Sequence, residues 1–129
     1  MVLLDWSPDL SVGISEFDLE HRRLIDLLND FHGRLMAGGM ARPDIETGLM
    51  ILAGEVKAHF ASEEAFLERI GSSRLESHRM LHEILYSDLL VMIAEARRDE
   101  FRFLCEDLEC SLTPWLVEHI RNVDSRLGL

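Results

Sequence analysis

Apolar side chains recur in alternating steps of three and four through four segments of this chain, and this spacing constrains its fold more than any other feature. Such steps place side chains on one face of an α-helix, whereas strands need an alternation that the sequence nowhere sustains. Glycine and proline separate the segments, notably at Gly38, Gly39, Pro43 and Gly71. The four faces comprise Phe17, His21, Leu24, Leu28, Phe31 and Leu35; Ile45, Leu49, Leu52, Val56, His59, Glu63, Phe66 and Ile70; Leu75, His78, His82, Leu85, Leu89, Met92 and Ala96; and Phe101, Leu104, Leu108, Leu112, Trp115, His119 and Asn122.

Four amphipathic segments joined by short loops predict an all-α fold, an antiparallel up-down-up-down four-helix bundle with an N-terminal extended arm. At 129 residues the chain is long enough for one domain with a single core. We place the arm at 1–14 and the helices at about 16–37, 44–70, 73–97 and 100–123 of the single domain 1–129. Pro114 removes one backbone donor from the last segment, so we expect a kink there, or a fresh turn capped by Thr113.

The formal charge of −11 argues against a nucleic-acid or anionic-membrane partner, which most of the surface would repel. The most apolar stretch, Ile84–Ala96, is interrupted by three polar residues, so we expect no membrane insertion. No basic region precedes the apolar start Met1–Leu4, which argues against a signal peptide. Cys105 and Cys110 point about 140° apart around a helix, which predicts free thiols rather than a disulfide. These features together predict a cytoplasmic protein.

Histidines occupy positions at which the helical pattern demands buried residues. Five of the six histidines lie on the four faces, and only His32 lies off them, where the pattern assigns it no partner. Burying a polar group without a partner costs about 1–3 kcal/mol, so five imidazoles in one small core need a common partner. A metal centre is the partner that this pattern predicts.

The spacing of the candidate ligands supports a metal centre. His59 and Glu63 form an H-x-x-x-E pair, and His78 and His82 form an H-x-x-x-H pair, so the members of each pair lie one turn apart on the same helix face. The first and fourth helices supply one histidine each, His21 and His119.

Asp124 follows five residues after His119, out of phase with the buried face, and would reach the site only if the last turn bends it inward. Seven ligands exceed what one ion takes, so the set predicts two ions bridged by carboxylates. Iron suits this mixture of imidazole and carboxylate, although zinc, copper and nickel also bind imidazole.

The order H…H-x-x-x-E…H-x-x-x-H…H-x-x-x-x-D resembles that of the hemerythrins, and the longer first loop resembles their bacterial branch. The resemblance extends from Trp6 to Asp124 and fills all seven ligand positions of that family. It implies that His78, His82 and His119 hold one non-heme iron and that His21 and His59 hold the other.

By the same resemblance, Glu63 and Asp124 would bridge the two irons together with an oxo or hydroxo group. The iron with two histidines would keep a position for dioxygen, the implied ligand of the site. An apolar wall that keeps water and protons from the bound oxygen is implied at Leu24, Phe60, Trp115, Leu116 and Ile120.

Two acidic residues near the ligands carry separate expectations. Asp18 lies one turn before His21 and could accept a hydrogen bond from its second ring nitrogen. Glu64 directly follows Glu63, and its helical phase predicts a solvated, outward-facing charge.

Three classes of function remain open from the sequence. The first is reversible dioxygen binding by a carrier, store or supplier. The second is an oxygen or redox sensor that regulates a signalling partner. The third is a diiron oxidase or peroxidase, which we expect least, because five histidines and two carboxylates donate less negative charge than the carboxylate-rich sites of diiron enzymes. We therefore expect no enzyme. The sequence identifies neither a signalling nor an oxygen-consuming protein partner.

Overall fold

Helices account for most of residues 3–122, the part of the chain that this computed structural model describes. They are α1 (Ser15–Ala37), α2 (Arg42–Arg69), α3 (Leu75–Arg98), α4 (Leu104–Asp107) and α5 (Thr113–Asn122), with a 3-10 turn at Pro8–Leu10 and a π-helical turn at Leu108–Leu112. The last three helical pieces, α4, the π turn and α5, together form the fourth arm of the bundle. The predicted all-α four-helix bundle is confirmed, and no strand occurs within residues 3–122.

Ion pairs show how neighbouring helices run. Glu46 near the start of α2 pairs with Arg97 near the end of α3, whereas Glu64 near the end of α2 faces Arg79 near the start of α3. Advancing along α2 therefore means going back along α3, which is the antiparallel arrangement. The Arg97 guanidinium, through its hydrogen bonds, also holds the pKa of the Glu46 carboxyl below its usual range.

The helix ends explain why α4 begins later than predicted. After α3, Glu100 and Phe101 adopt left-handed backbone angles, with φ of 57° and 60°. Phe101 donates its N–H to the carbonyl of Ala96 at 2.8 Å, which closes the helix as a Schellman motif does. The predicted start near residue 100 is therefore wrong, because those residues terminate α3 and the next helix begins at Leu104.

Pro114 is accommodated by the π turn. In an α-helix its ring would meet the carbonyl four residues earlier, and it has no N–H to donate. Here Thr113 donates its N–H to Leu108, five residues earlier, and its hydroxyl donates to the same carbonyl at 2.8 Å. The sequence predicts a kink or a capped fresh turn at this point. Instead, the backbone widens by one residue and α5 begins at Thr113.

The π turn also keeps the fourth arm in phase with the core. Leu104, Leu108, Leu112 and Leu116 are all buried, although they are separated by three consecutive steps of four. In an α-helix each such step overshoots a full turn by about 40°, so the face would drift by about 120°. A wider turn in the middle offsets part of this drift, so α5 still directs its buried face towards the bundle axis.

The N-terminal arm is fastened to α1 by two side chains. The Asn29 amide oxygen accepts the backbone N–H groups of Leu3 and Leu4 at 3.0 and 2.9 Å. Asp18 accepts the Ser11 hydroxyl at 2.6 Å and the Val12 N–H at 2.9 Å. These contacts hold the N-terminal arm against the first helix.

Cys105 and Cys110 are free thiols. Burial, with a smaller effect from nearby Glu109, raises the pKa of the Cys105 thiol, which disfavours the reactive thiolate. Among the helices of residues 3–122, none is both long enough and apolar enough to cross a membrane.

Candidate metal centre

Six of the seven predicted ligands are buried in the interior of the bundle. His21 comes from α1, His59 and Glu63 from α2, His78 and His82 from α3, and His119 from α5. Each is buried, and the side chains of His21 and Glu63 are fully enclosed. The i,i+4 spacing within α2 and α3 therefore directs both members of each pair inward. Asp124 lies outside the described residues.

Glu63 and two histidines form the first half of the site. The Nε2 atoms of His21 and His59 are 3.0 Å apart. The His59 Nε2 lies 3.1 Å from Oε1 of Glu63. One ligand atom from each of the three residues lies within 4.8 Å of the others, which is close enough to surround a single cation.

The same carboxylate oxygen begins the second half. Oε1 of Glu63 lies 3.5 Å from Nε2 of His82 and 3.7 Å from Nε2 of His119. Glu63, His82 and His119 thus form a second group with the spacing of a metal site. His78 lies beside this group, its ring perpendicular to that of His82 with centroids 5.1 Å apart. Glu63 belongs to both groups, as a bridging ligand would.

The donor atoms fit metal cations. The converging atoms are imidazole nitrogens and a carboxylate oxygen, which are all Lewis bases. The His82 Nε2 is buried and makes no hydrogen bond to any described residue. Leaving such an atom without a partner costs about 1–3 kcal/mol, and a bound cation would remove this cost. We conclude that the residues present suit a pair of cations that share Glu63.

Two acidic side chains outside the core hold the second nitrogens of two of these histidines. The Glu20 carboxylate lies 2.6 Å from Nδ1 of His59, and the Glu64 carboxylate lies 2.9 Å from Nδ1 of His82. The expectation that Glu64 is merely solvated is wrong, because it reaches across to α3. The role of Glu20 was missed. It could have been noticed because it directly precedes the candidate ligand His21. Successive side chains on an α-helix are about 100° apart, so the Glu20 side chain points away from the site and towards the neighbouring helix.

Two further expectations need correction. Asp18 accepts hydrogen bonds from Ser11 and Val12 of the N-terminal arm. Both of its carboxylate oxygens therefore hold the arm, and not the ring of His21 as expected. His32, placed off the buried faces by its phase, is fully buried, and its Nε2 lies 2.8 Å from Glu109 of the π turn. Its partner could not be found from periodicity, since the contact joins residues that are 77 positions apart.

The residues of the predicted apolar wall either stack on candidate ligands or lie in the hydrophobic core. Phe60 stacks on His82, with ring centroids 4.1 Å apart and planes within 4° of parallel. Trp115 stacks over His119 at 6.2 Å. The remaining three wall residues are buried in the same hydrophobic core as Phe60, and they are Leu24, Leu116 and Ile120. Two of the five wall residues, Phe60 and Trp115, therefore pack directly against candidate ligands.

A cleft reaches the first half of the site from the surface between α1 and α2. Its volume is about 170 Å³, and it is lined by Glu20, Arg23, Leu24, Glu55, Ala58 and His59. Arg23 and Glu55 form an ion pair of 2.9 Å that joins the two walls. The cleft therefore connects solvent with His59, a candidate ligand, and with Leu24.

Comparison with known proteins identifies relatives of this chain. The sequence model of the family described as "Hemerythrin HHE cation binding domain" matches residues 12–128. A bacteriohemerythrin of Stenotrophomonas maltophilia (strain R551-3) is 32% identical over 129 residues, which cover 96% of this chain and 78% of that protein. Bacteriohemerythrins of Pseudomonas aeruginosa (strain LESB58) and Clostridium acetobutylicum are 29% and 28% identical, over 97% and 92% of this chain and 79% and 94% of their own lengths. The chain therefore belongs to the hemerythrin family.

Proposed function

We propose that this protein binds dioxygen reversibly at a non-heme diiron centre and acts as an oxygen carrier, store or supplier. The observation that carries the proposal is Glu63, whose one carboxylate oxygen faces two groups of buried histidines. Membership of the hemerythrin family supports iron as the metal. The proposed ligands are His21, His59, Glu63, His78, His82, His119 and Asp124, with an oxo or hydroxo group as a further bridge.

The ligand set favours binding of oxygen over its cleavage. Two ferrous ions, when bound, supply the electrons with which dioxygen is held. Five neutral imidazoles and two carboxylates donate less negative charge than carboxylate-rich diiron sites do, which disfavours high-valent iron. We therefore propose that the protein is not an enzyme.

The chain's own residues would protect the bound oxygen. Phe60, Trp115 and Leu116 have no acidic proton to give, and their packing against the core would keep water from that side of the histidines. An apolar wall of this kind slows both protonation of the bound ligand and its displacement by water. The wall thus supports reversible binding.

The cleft between α1 and α2 is the proposed access route for oxygen, because it reaches His59 and Leu24 on the half with two histidines. Ala58 lines this cleft, whereas Ala61 lines the groove on the opposite side of α2, next to His82. Ala58→Trp should slow oxygen association several-fold, and the matched variant Ala61→Trp should leave it unchanged. Equal association rates in both variants, measured by stopped-flow absorption, would contradict this route.

The direct test of the function is optical. Reduced, iron-loaded protein is exposed to oxygen, and its visible absorption is followed through repeated cycles of oxygen and argon. We expect an absorption band that appears with oxygen and disappears under argon, cycle after cycle. A band that forms once and cannot be reversed, together with oxygen consumption that exceeds one molecule per site, would instead indicate an oxidase.

A further inference from the structure

Two histidines of the metal centre are each held from behind by an acid on the neighbouring helix. Glu20 of α1 contacts Nδ1 of His59 on α2, and Glu64 of α2 contacts Nδ1 of His82 on α3, at 2.6 and 2.9 Å. The opposite nitrogens, both Nε2, face Glu63 at 3.1 and 3.5 Å. Each ring is therefore fixed at one edge while its other edge faces the site.

An acid in this position has two effects on a metal-binding imidazole. It accepts a hydrogen bond from the Nδ1–H group, which keeps the proton on Nδ1, leaves the Nε2 lone pair available and sets the plane of the ring. Its negative charge also makes the imidazole a stronger donor. Both effects strengthen the bond between Nε2 and a cation.

The two acids differ in how much of their charge the histidine receives. The second oxygen of Glu20 accepts a hydrogen bond from the neutral Ser62 hydroxyl at 2.7 Å, and within residues 3–122 no lysine or arginine pairs with Glu20. The second oxygen of Glu64 instead faces the Arg79 guanidinium at 3.5 Å. Arg79, which also pairs with Glu76 at 2.8 Å, thus offsets part of the Glu64 charge, whereas Glu20 directs its charge mainly at its histidine.

We infer that Glu20 and Glu64 are positioning residues for the metal ligands, and that Arg79 weakens the second of them so that the two halves of the centre hold metal unequally. The inference rests on the proposed metal centre but not on its oxygen chemistry. It assigns Glu20 the larger effect on metal retention.

Metal retention can be measured with Co²⁺, whose visible absorption needs no oxygen. Protein loaded with Co²⁺ is mixed with excess chelator, and the decay of absorption is compared among wild type, Glu20→Gln, Glu64→Gln and the control Glu46→Gln. Glutamine keeps an acceptor oxygen but removes the charge. We expect release to be about 10–100-fold faster in Glu20→Gln, less accelerated in Glu64→Gln, and unchanged in the control, whose acid pairs with Arg97 far from the ligands along α2.

The unfolding midpoint of each metal-free variant shows whether a faster release merely reflects a weaker fold. Faster release with an unchanged midpoint supports positioning. Release that follows the midpoint, or release at the wild-type rate in both glutamine variants, overturns the inference. If the wild type takes up Co²⁺ but its reduced, iron-loaded form never binds oxygen, the proposed function fails. The release rates of Co²⁺ still decide this inference.

Arg79→Met tests the asymmetry with a surface variant that is expected to fold. Removing this cation should return charge to Glu64 and slow metal release several-fold, which is opposite in sign to Glu64→Gln. In the double variant that combines Arg79→Met with Glu64→Gln, the effect of Arg79→Met on the release rate should vanish, because position 64 no longer carries a charge that Arg79 could offset. A purely structural role would accelerate release in both single variants. That outcome, or an Arg79 effect that persists without the Glu64 carboxylate, would overturn the proposed tuning.

Discussion

Replacing Leu116 by alanine separates protection of the site from ordinary packing. Leu116 lies one turn before His119 on α5 and is 5% exposed, within the same core as Leu24 and Phe60. The proposed wall predicts that its loss admits water to the histidines. The oxygenated form of Leu116→Ala should therefore decay faster to the oxidised protein, although both metal ions remain bound.

The cost in stability can be bounded from the burial. Truncating a buried leucine to alanine costs about 2–5 kcal/mol, depending on how far the cavity collapses. Domains of this size are stable by about 5–15 kcal/mol, so most of the Leu116→Ala protein should stay folded at 25 °C. With roughly 3–4 °C lost per kcal/mol, the melting temperature should fall by roughly 6–20 °C.

A second leucine provides the matched control. Leu52 on α2 is also 5% exposed and belongs to the same core, but it lies two turns from the nearest candidate ligand, His59. Leu52→Ala should lose comparable stability without changing the lifetime of the oxygenated form. Stopped-flow mixing with oxygen, followed by absorption over minutes, measures that lifetime. Equal lifetimes of the oxygenated form in the two folded, iron-loaded variants would show that Leu116 does not protect the site, since loss of packing alone would then explain the effect of Leu116→Ala.

Three further variants test other parts of the structure. His82→Ala should lose metal, seen by metal analysis, because it removes a donor from the second group. His32→Ala should keep its metal yet lose about 2–4 kcal/mol in denaturant unfolding, because the buried ring and its contact with Glu109 disappear; loss of metal would show coupling to the site. Burial and neighbouring carboxylates raise the pKa of Asp107 in the folded protein, so folding favours its protonated form. The free energy of unfolding therefore falls as pH rises from the pKa of Asp107 in the unfolded chain to its higher pKa in the folded protein. Asp107→Asn should therefore raise the melting temperature at neutral pH but not in acid, and a gain independent of pH would contradict this.

The sequence predicted the burial of the six described candidate ligands, because helical phase determines which side chains turn inward. Glu63 and His82 fall on the buried faces of the pattern, and both are buried. Four antiparallel helices bring such faces together without any knowledge of individual distances. The pattern therefore predicted the convergence of donors, although not which atoms approach which.

Residues at the margins of those faces were harder to predict. A helix in a bundle has two neighbours, so its buried face is wider than a narrow stripe of two positions in seven. His32 follows the buried Phe31 and packs towards the fourth arm for this reason. Glu20 and Glu64 lie beside ligands and reach across to the next helix, where only the relative placement of the helices decides their partners.

Backbone irregularities were also beyond the pattern. Pro114 indicated a disturbance, but a kink, a new cap and a π turn all satisfy its missing donor. Phe101 lies in the apolar series of the fourth segment, yet its left-handed backbone belongs to the end of α3. Periodicity reports which side chains are apolar and says nothing about backbone angles at a helix end.

The central claim is that two irons share Glu63 in each chain, and metal analysis of the reduced, iron-loaded protein tests it most directly. Iron and protein are quantified in the same sample, before and after removal of loosely bound metal on a chelating resin. Two irons per chain should remain bound after the resin. One metal ion per chain, or zinc in place of iron in protein prepared with iron present, would contradict the diiron centre.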